Sequence, residues 1–181
     1  MKSNWEKVIP LLLDSEGPET NISSGEPGGA SKYGVSVAAL SDYRKKQGLS
    51  SATIDIVSRL TAADAETFYR ETVARACRFD ELPIGVDYMM LDVTTNLGNT
   101  GGPWLLQIVM GQWPLVPTLP ADLLLRVTAM NLAQQRELIY ALGAGWLAFK
   151  HASPAWPRAG HGWTNRMVRV RRDALAMTGE Q

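Results

Sequence analysis

From Ser50 almost to the C-terminus, apolar residues recur at spacings of three and four, and no other feature restricts the possible folds of this chain so strongly. In "VDYMMLDVTTNLG", Val86, Met89, Met90, Val93 and Leu97 share one helical face, and Gly98 is placed to close the helix. Thr61 and Asp64 have capping-box spacing ahead of "AETFYRETVARACRF", which Pro83 closes. Pro103 suits the first turn of "PWLLQIVMG", and Pro120 that of "PADLLLRVTAMNLAQQRELIYAL", one helix of about 20 residues. Gly143 and Gly145 break the pattern, "ASPAWPRAGHGW" reads as a loop, and the last helix, "TNRMVRVRRDALAM", starts from a Thr164 cap. The pattern predicts a mainly α protein.

The front of the chain differs. Trp5, Val8, Ile9, Leu12 and Leu13 form the apolar face of a first helix, with Ser3 as cap and Glu6 completing a capping box. Pro10 predicts a kink or a late start, and Glu16 with Gly17 marks the end. Residues 17–36 then hold Gly17, Gly25, Gly28, Gly29 and Gly34 with Pro18 and Pro27, which is turn chemistry. Tyr33, Val35 and Val37 alternate with small or polar residues, so a short strand and a small hairpin or extended loop follow.

A chain of 181 residues, 45% of them hydrophobic, predicts one compact unit rather than two large domains. The single cysteine, Cys77, excludes an intrachain disulfide framework and fits a reducing compartment. The N-terminal apolar stretch is about six residues long and is broken by Pro10, too short for a secretory signal. No run approaches the roughly 18 apolar residues of a membrane span. The expectation is a protein made soluble in the cytoplasm. Residues 1–100 carry ten basic and fourteen acidic side chains against eight and four in 101–181, an acidic front and a basic tail.

The chemistry concentrates in "SEGPETNISSGEPGGASKYGVS". At the carboxyl end of a helix, the dipole and partial burial both favour a protonated Glu16, able to hand a proton to a leaving oxygen. Glu26, in a polar turn, is placed to stay ionised, and Ser31 to hold a water beside it. Equally, Glu16 is what a helix end contains and Glu26 what a solvated turn contains; spacing does not choose. His151 and His161 lie ten apart without a Cys/His cluster, so neither metal nor cofactor is expected. No serine has a nucleophile-elbow setting. Asn96 is either a buried, satisfied amide or part of a cleft floor.

"SEG" followed by "GEPGGASKYGVS" resembles the opening motif of the muramidases of glycoside hydrolase family 108, lysozyme-like phage and bacterial proteins. "FYRETVARACRFDELPIGVDYMMLDVTTNLGNTGGPWLLQ" is similar to the family's Tyr-Arg helix, Asp-x-Leu-Pro turn, Asp-x-x-x-Asn-x-Gly helix and Leu-Gln. "GHGWTNRMVRVRRDAL" looks like the Gly-Trp-x-x-Arg ending of a companion peptidoglycan-binding region. The resemblance implies a lysozyme-like helical domain with a small β-hairpin lobe, catalytic over 1–95 and peptidoglycan-binding over 96–181, packed as one compact unit.

It implies hydrolysis of the β-1,4 bond between N-acetylmuramic acid and N-acetylglucosamine, with Glu16 as general acid. Glu26 stands where the family has aspartate and Ser31 where it has threonine. Tyr33, Asn96, Gln107 and Trp163 fall at positions expected to contact substrate. The implied partner is the glycan strand of peptidoglycan, met by a monomer as a phage endolysin released from the host cytoplasm by a membrane lesion. The basic last helix, with Arg166, Arg169 and Arg172 along one edge, is either a contact for anionic envelope polymers or a solvated face. Nucleic acid is not an expected partner. A lytic transglycosylase and a non-catalytic wall-binding protein are the alternatives.

Overall fold

The glycine-rich segment turns the chain back onto the end of its first helix. The computed structural model describes residues 4–22 and 28–179, and in it helix α1 runs Trp5–Glu16, straight through Pro10 rather than starting after it. Pro10 is exposed and removes one intrahelical donor, while Trp5, Val8, Ile9 and Leu12 hold the helix by its buried face. Gly17 ends it at φ 79°, with its N–H on the Leu13 carbonyl at 2.9 Å, a left-handed cap that suits glycine. The expected Ser3 cap lies outside the described residues.

Strands β1 (Ser31–Lys32) and β2 (Val35–Ser36) form an antiparallel hairpin with Lys32 opposite Val35. Its two turn residues, Tyr33 and Gly34, have φ of 51° and 74°, the both-positive turn that matches strand twist. Val37 does not extend the strand. Ser36 instead accepts from the Ala39 N–H and caps α2 (Val37–Lys46), which the alternation had concealed.

Helices α3 (Ile54–Ser58) and α4 (Ala62–Tyr69) follow. The Thr61–Asp64 capping box is present in both directions, and the Thr61 hydroxyl and then its N–H hold the Asp64 carboxyl below its ordinary range. After Tyr69 the backbone widens into a π turn, Arg70–Ala74. The chain divides there into two units, 5–72 and 1–4 with 73–181.

The boundary thus falls at 72/73, not at 95/96. The physical reason is α5 (Val86–Val109), which a cut at 95 would sever: α7 (Leu132–His151) and α8 (Trp156–Met177) both pack on it, and on each other. Gly98, at φ 82° and ψ 167°, is non-helical and divides α5 into two helical segments, so the stop expected there is present. The long helix expected after Pro120 is two, α6 (Ala121–Thr128) and α7, because Asn131 and Gln134 cap each other and restart the chain.

Gly143 and Gly145 lie inside α7, where they permit close helix contact. A Cβ on Gly143 would sit 3.1 Å from Met167 and Met89, and one on Gly145 would sit 2.7 Å from Leu105. Helix α8 begins at Trp156, eight residues before the expected Thr164 cap; Thr164 is mid-helix and donates to the Gly160 carbonyl at 2.8 Å. The fold is mainly α with a small hairpin lobe. No helix is long and apolar enough to cross a membrane among the described residues.

Asp87 enters the second unit's core at the start of α5, 2% exposed. Its Oδ1 accepts from the Gly85 and Tyr88 N–H groups at 2.8 and 2.6 Å and from Asn4 at 3.4 Å. Burial nevertheless pushes its carboxyl from 3.8 up to about 6. Between those values the folded chain binds a proton that the unfolded chain releases, so stability falls as pH rises through the window and is level above it. The expected loss between pH 3.5 and 7 is about 3 kcal/mol. Urea titrations at the two pH values should show that slope in the parent and a flatter one in Asp87→Asn.

Candidate active site

Glu16 is the last residue of α1 and is half-buried. The Tyr33 N–H donates to the Gly17 carbonyl at 3.0 Å, which ties the hairpin apex to the helix end. Tyr69, 1% exposed at the end of α4, donates its hydroxyl to the Tyr33 carbonyl at 2.8 Å. Gly34 fills the space between: a Cβ there would lie 2.5 Å from Glu16 Oε2 and 2.5 Å from the Tyr69 hydroxyl. A carboxyl, a hairpin backbone and a phenol from three different elements therefore converge on one glycine.

Gly34→Ala should be doubly unfavourable. It places an L side chain at φ 74°, costing about 1–2 kcal/mol, and drives a methyl into the Glu16 carboxyl. With Glu16 as the proton donor that the family resemblance implies, displacing its carboxyl by about 1 Å is expected to lower turnover on the order of 100-fold. Thermal melts and glycan-cleavage rates on the purified variant check the two parts separately; unchanged turnover would show that the carboxyl's position does not matter.

Ser31 is fixed by its backbone, which exchanges hydrogen bonds with Asn21 at 2.8 and 2.9 Å. Its hydroxyl has no protein partner among the described residues. Lys32 donates to the Ser58 carbonyl at 3.0 Å and anchors the hairpin's other flank to α3. Glu26 lies outside the described residues. Below the site, Trp5 donates to Glu66 at 2.8 Å while Arg70 stacks over its ring at 4.8 Å, joining α1 to α4.

The remaining expected site residues belong to the second unit. Asn96 and Trp163 are brought together by Lys150, whose ammonium reaches the Asn96 carbonyl at 3.4 Å and lies 4.9 Å over the Trp163 ring. Asn96 spends its amide N–H on the Asp92 carbonyl. Gln107 is fully buried, and its amide bonds Pro103 and both backbone groups of Val116, at 2.8–3.2 Å. It clamps the loop after α5 and presents nothing to solvent, which corrects the expectation of a substrate contact.

Arg166 is similarly turned inward, only 13% exposed, with Nη2 2.6 Å from the wholly buried Asp92. Arg169 and Arg172 remain exposed. Cys77 is buried with its thiol pushed up to about 12 by desolvation, which removes it as a nucleophile. Among the described residues no cluster of His, Cys, Asp and Glu fits a metal.

The sequence profile of glycosyl hydrolase 108 matches residues 9–98, from the first turns of α1 to the Gly98 break. The chain belongs to that family. It is therefore placed among glycoside hydrolases, and Glu16, Ser31, Tyr33, Tyr69 and Asn96 fall inside the match, whereas Gln107 and Trp163 fall beyond it. The peptidoglycan-binding assignment expected for 96–181 has no counterpart in the profile match.

The likeness to the structure of Brucella abortus SagA runs further. That structure has a TM-score of 0.86 and 29% identity, over 98% of this chain and 97% of its own. No curated protein matches the sequence. Two residues beside the Glu16 carboxyl are not singled out by the sequence: Tyr69, hidden as one more apolar helix residue beside Phe68, and Gly34, hidden among five turn glycines.

Proposed function

We propose that this glycoside hydrolase is a peptidoglycan muramidase that cuts the β-1,4 bond between N-acetylmuramic acid and N-acetylglucosamine, with Glu16 as general acid. The observation that carries this reading is the Glu16 carboxyl at the end of α1, which borders the space over Gly34 of the hairpin together with the Tyr69 hydroxyl. Family membership supplies the reaction class.

In the reaction, Glu16 gives its proton to the glycosidic oxygen as the C1–O bond breaks and charge develops on the ring oxygen and C1. The leaving sugar departs as an alcohol. A water then adds to C1 and loses a proton to a carboxylate, the place assigned to Glu26, with the unpartnered Ser31 hydroxyl holding the water. Tyr33, at the hairpin apex, is assigned a contact with the bound sugar. Asn96 and Trp163 are proposed to contact glycan in the second unit. Arg169 and Arg172 are proposed to meet anionic envelope polymers. Cutting these strands weakens the wall, and the proposed role is cell lysis once a membrane lesion gives access.

Identifying the sugar at the new chain end tests the bond. Purified sacculi digested with the protein and reduced with borohydride should yield muramitol. Glucosaminitol would make the enzyme a glucosaminidase, 1,6-anhydro ends a transglycosylase, and no release a binding protein.

A further inference from the structure

A groove of about 340 Å³ opens on the same unit as the candidate active site, between α2, α3 and α4, and takes no part in the chemistry above. Its floor is apolar, built from Leu40, Leu60 and Phe68, all less than 9% exposed, with Ile56 beside them. Its rim is polar. Arg44 holds the carbonyl and hydroxyl of Ser50 through Nε and Nη2, which fixes the guanidinium, and it meets no carboxylate among the described residues. The neighbouring Gln47 side chain makes no hydrogen bond there either. Arg59, across the groove, is paired with Asp55 at 2.9 Å, and Asp64 is committed to the Thr61 cap.

One guanidinium without a carboxylate partner and one carboxamide without a hydrogen bond, above an apolar floor, form a receptor for a carboxylate carried on small apolar groups. Two contacts connect the groove walls to the hairpin: Lys32 on the Ser58 carbonyl of α3, and Phe68, edge-on at 5.6 Å to the Tyr69 ring that holds Tyr33. Resting on the muramidase reading, we infer that this groove binds the stem peptide of peptidoglycan, a short alanine-rich chain ending in a carboxylate and borne by every muramic acid. Arg44 takes the terminal carboxylate, and the floor takes the alanyl methyl groups. The enzyme then prefers peptide-bearing glycan to bare glycan.

The direct test is a nitrogen-15 NMR titration of the full chain with a free stem peptide ending in D-alanine, and with its C-terminal amide. The acid should shift the signals of residues 40–47 and 56–68 in the parent and about tenfold more weakly in Arg44→Gln, while the amide shifts them little. Equal response to acid and amide, or no response, overturns the proposal whether or not the chain cuts glycan. In cleavage assays, Arg44→Gln should lower kcat/KM about tenfold on peptide-bearing strands and leave amidase-stripped strands unaffected. An equal loss on both substrates would mean that the substitution damages the fold, and would contradict the assignment. Failure of the parent on both substrates would count against the muramidase reading alone.

Discussion

Glu16→Gln should lower the rate of glycan cleavage by about 100- to 10,000-fold, the contribution expected of a positioned general acid. The amide keeps the shape of the side chain and cannot protonate a leaving oxygen. Because Glu16 sits at a helix end, half-exposed, the substitution leaves the core of α1 intact. The melting temperature should therefore move little while activity vanishes, and turbidity of a sacculus suspension beside a thermal melt reads both. A parallel loss of fold and activity would instead make Glu16 a structural residue. Retention of kcat with a raised KM would make it a binding residue.

The largest effect on stability is expected far from this chemistry, at Arg166. Its Nε and Nη2 both reach Asp92 Oδ1, at 3.0 and 2.6 Å, and Asp92 has no exposure at all. The other carboxylate oxygen, Oδ2, has no hydrogen-bond partner among the described residues, so Arg166 is the main compensation for a buried charge. Arg166→Ala should cost about 3–5 kcal/mol, because it leaves that charge alone in the core. The double variant Asp92→Leu, Arg166→Met should recover most of the loss, since a buried pair exchanged for apolar groups of similar volume is often neutral. Urea denaturation of the parent and these two variants measures this; an Arg166→Ala loss below about 1 kcal/mol would match a solvent-exposed pair instead.

Legibility from sequence followed the range of the interactions involved. Local rules held where one or two residues decide: the Thr61–Asp64 box, the Gly17 stop and the turn chemistry ahead of the hairpin are all in place. They failed where distant packing overrides propensity. Gly143 and Gly145 read as breakers and Gly160 falls in a stretch that reads as a loop, yet each is a helix residue where a side chain would crowd a neighbour, the last lying 2.7 Å, at its missing Cβ, from the Trp156 ring. The break between α6 and α7 was written in Asn131 and Gln134, a capping box that an apolar pattern running through it masked. The charge stripe on α8 was read from spacing alone, which cannot tell that Arg166 faces Asp92, 74 residues away.

At the candidate site, the motif singles out Glu16, Ser31 and Tyr33 but not what lies beside them. That Gly34 must be glycine and that Tyr69 must carry a hydroxyl follow only once the hairpin is seen folded onto the end of α1. Gln107 shows the opposite failure. A polar residue ending a family-like motif invites a substrate role, but its amide satisfies the backbone of Val116, a partner no spacing reveals.

The central claim is that the Glu16 carboxyl drives hydrolysis of the muramic acid linkage. Mass spectrometry of muropeptides released from purified peptidoglycan by the parent and by Glu16→Gln tests it most directly. The account predicts disaccharide peptides with an intact reducing-end N-acetylmuramic acid from the parent, and almost none from the variant at matched fold. The same muropeptides released equally fast by Glu16→Gln would contradict it.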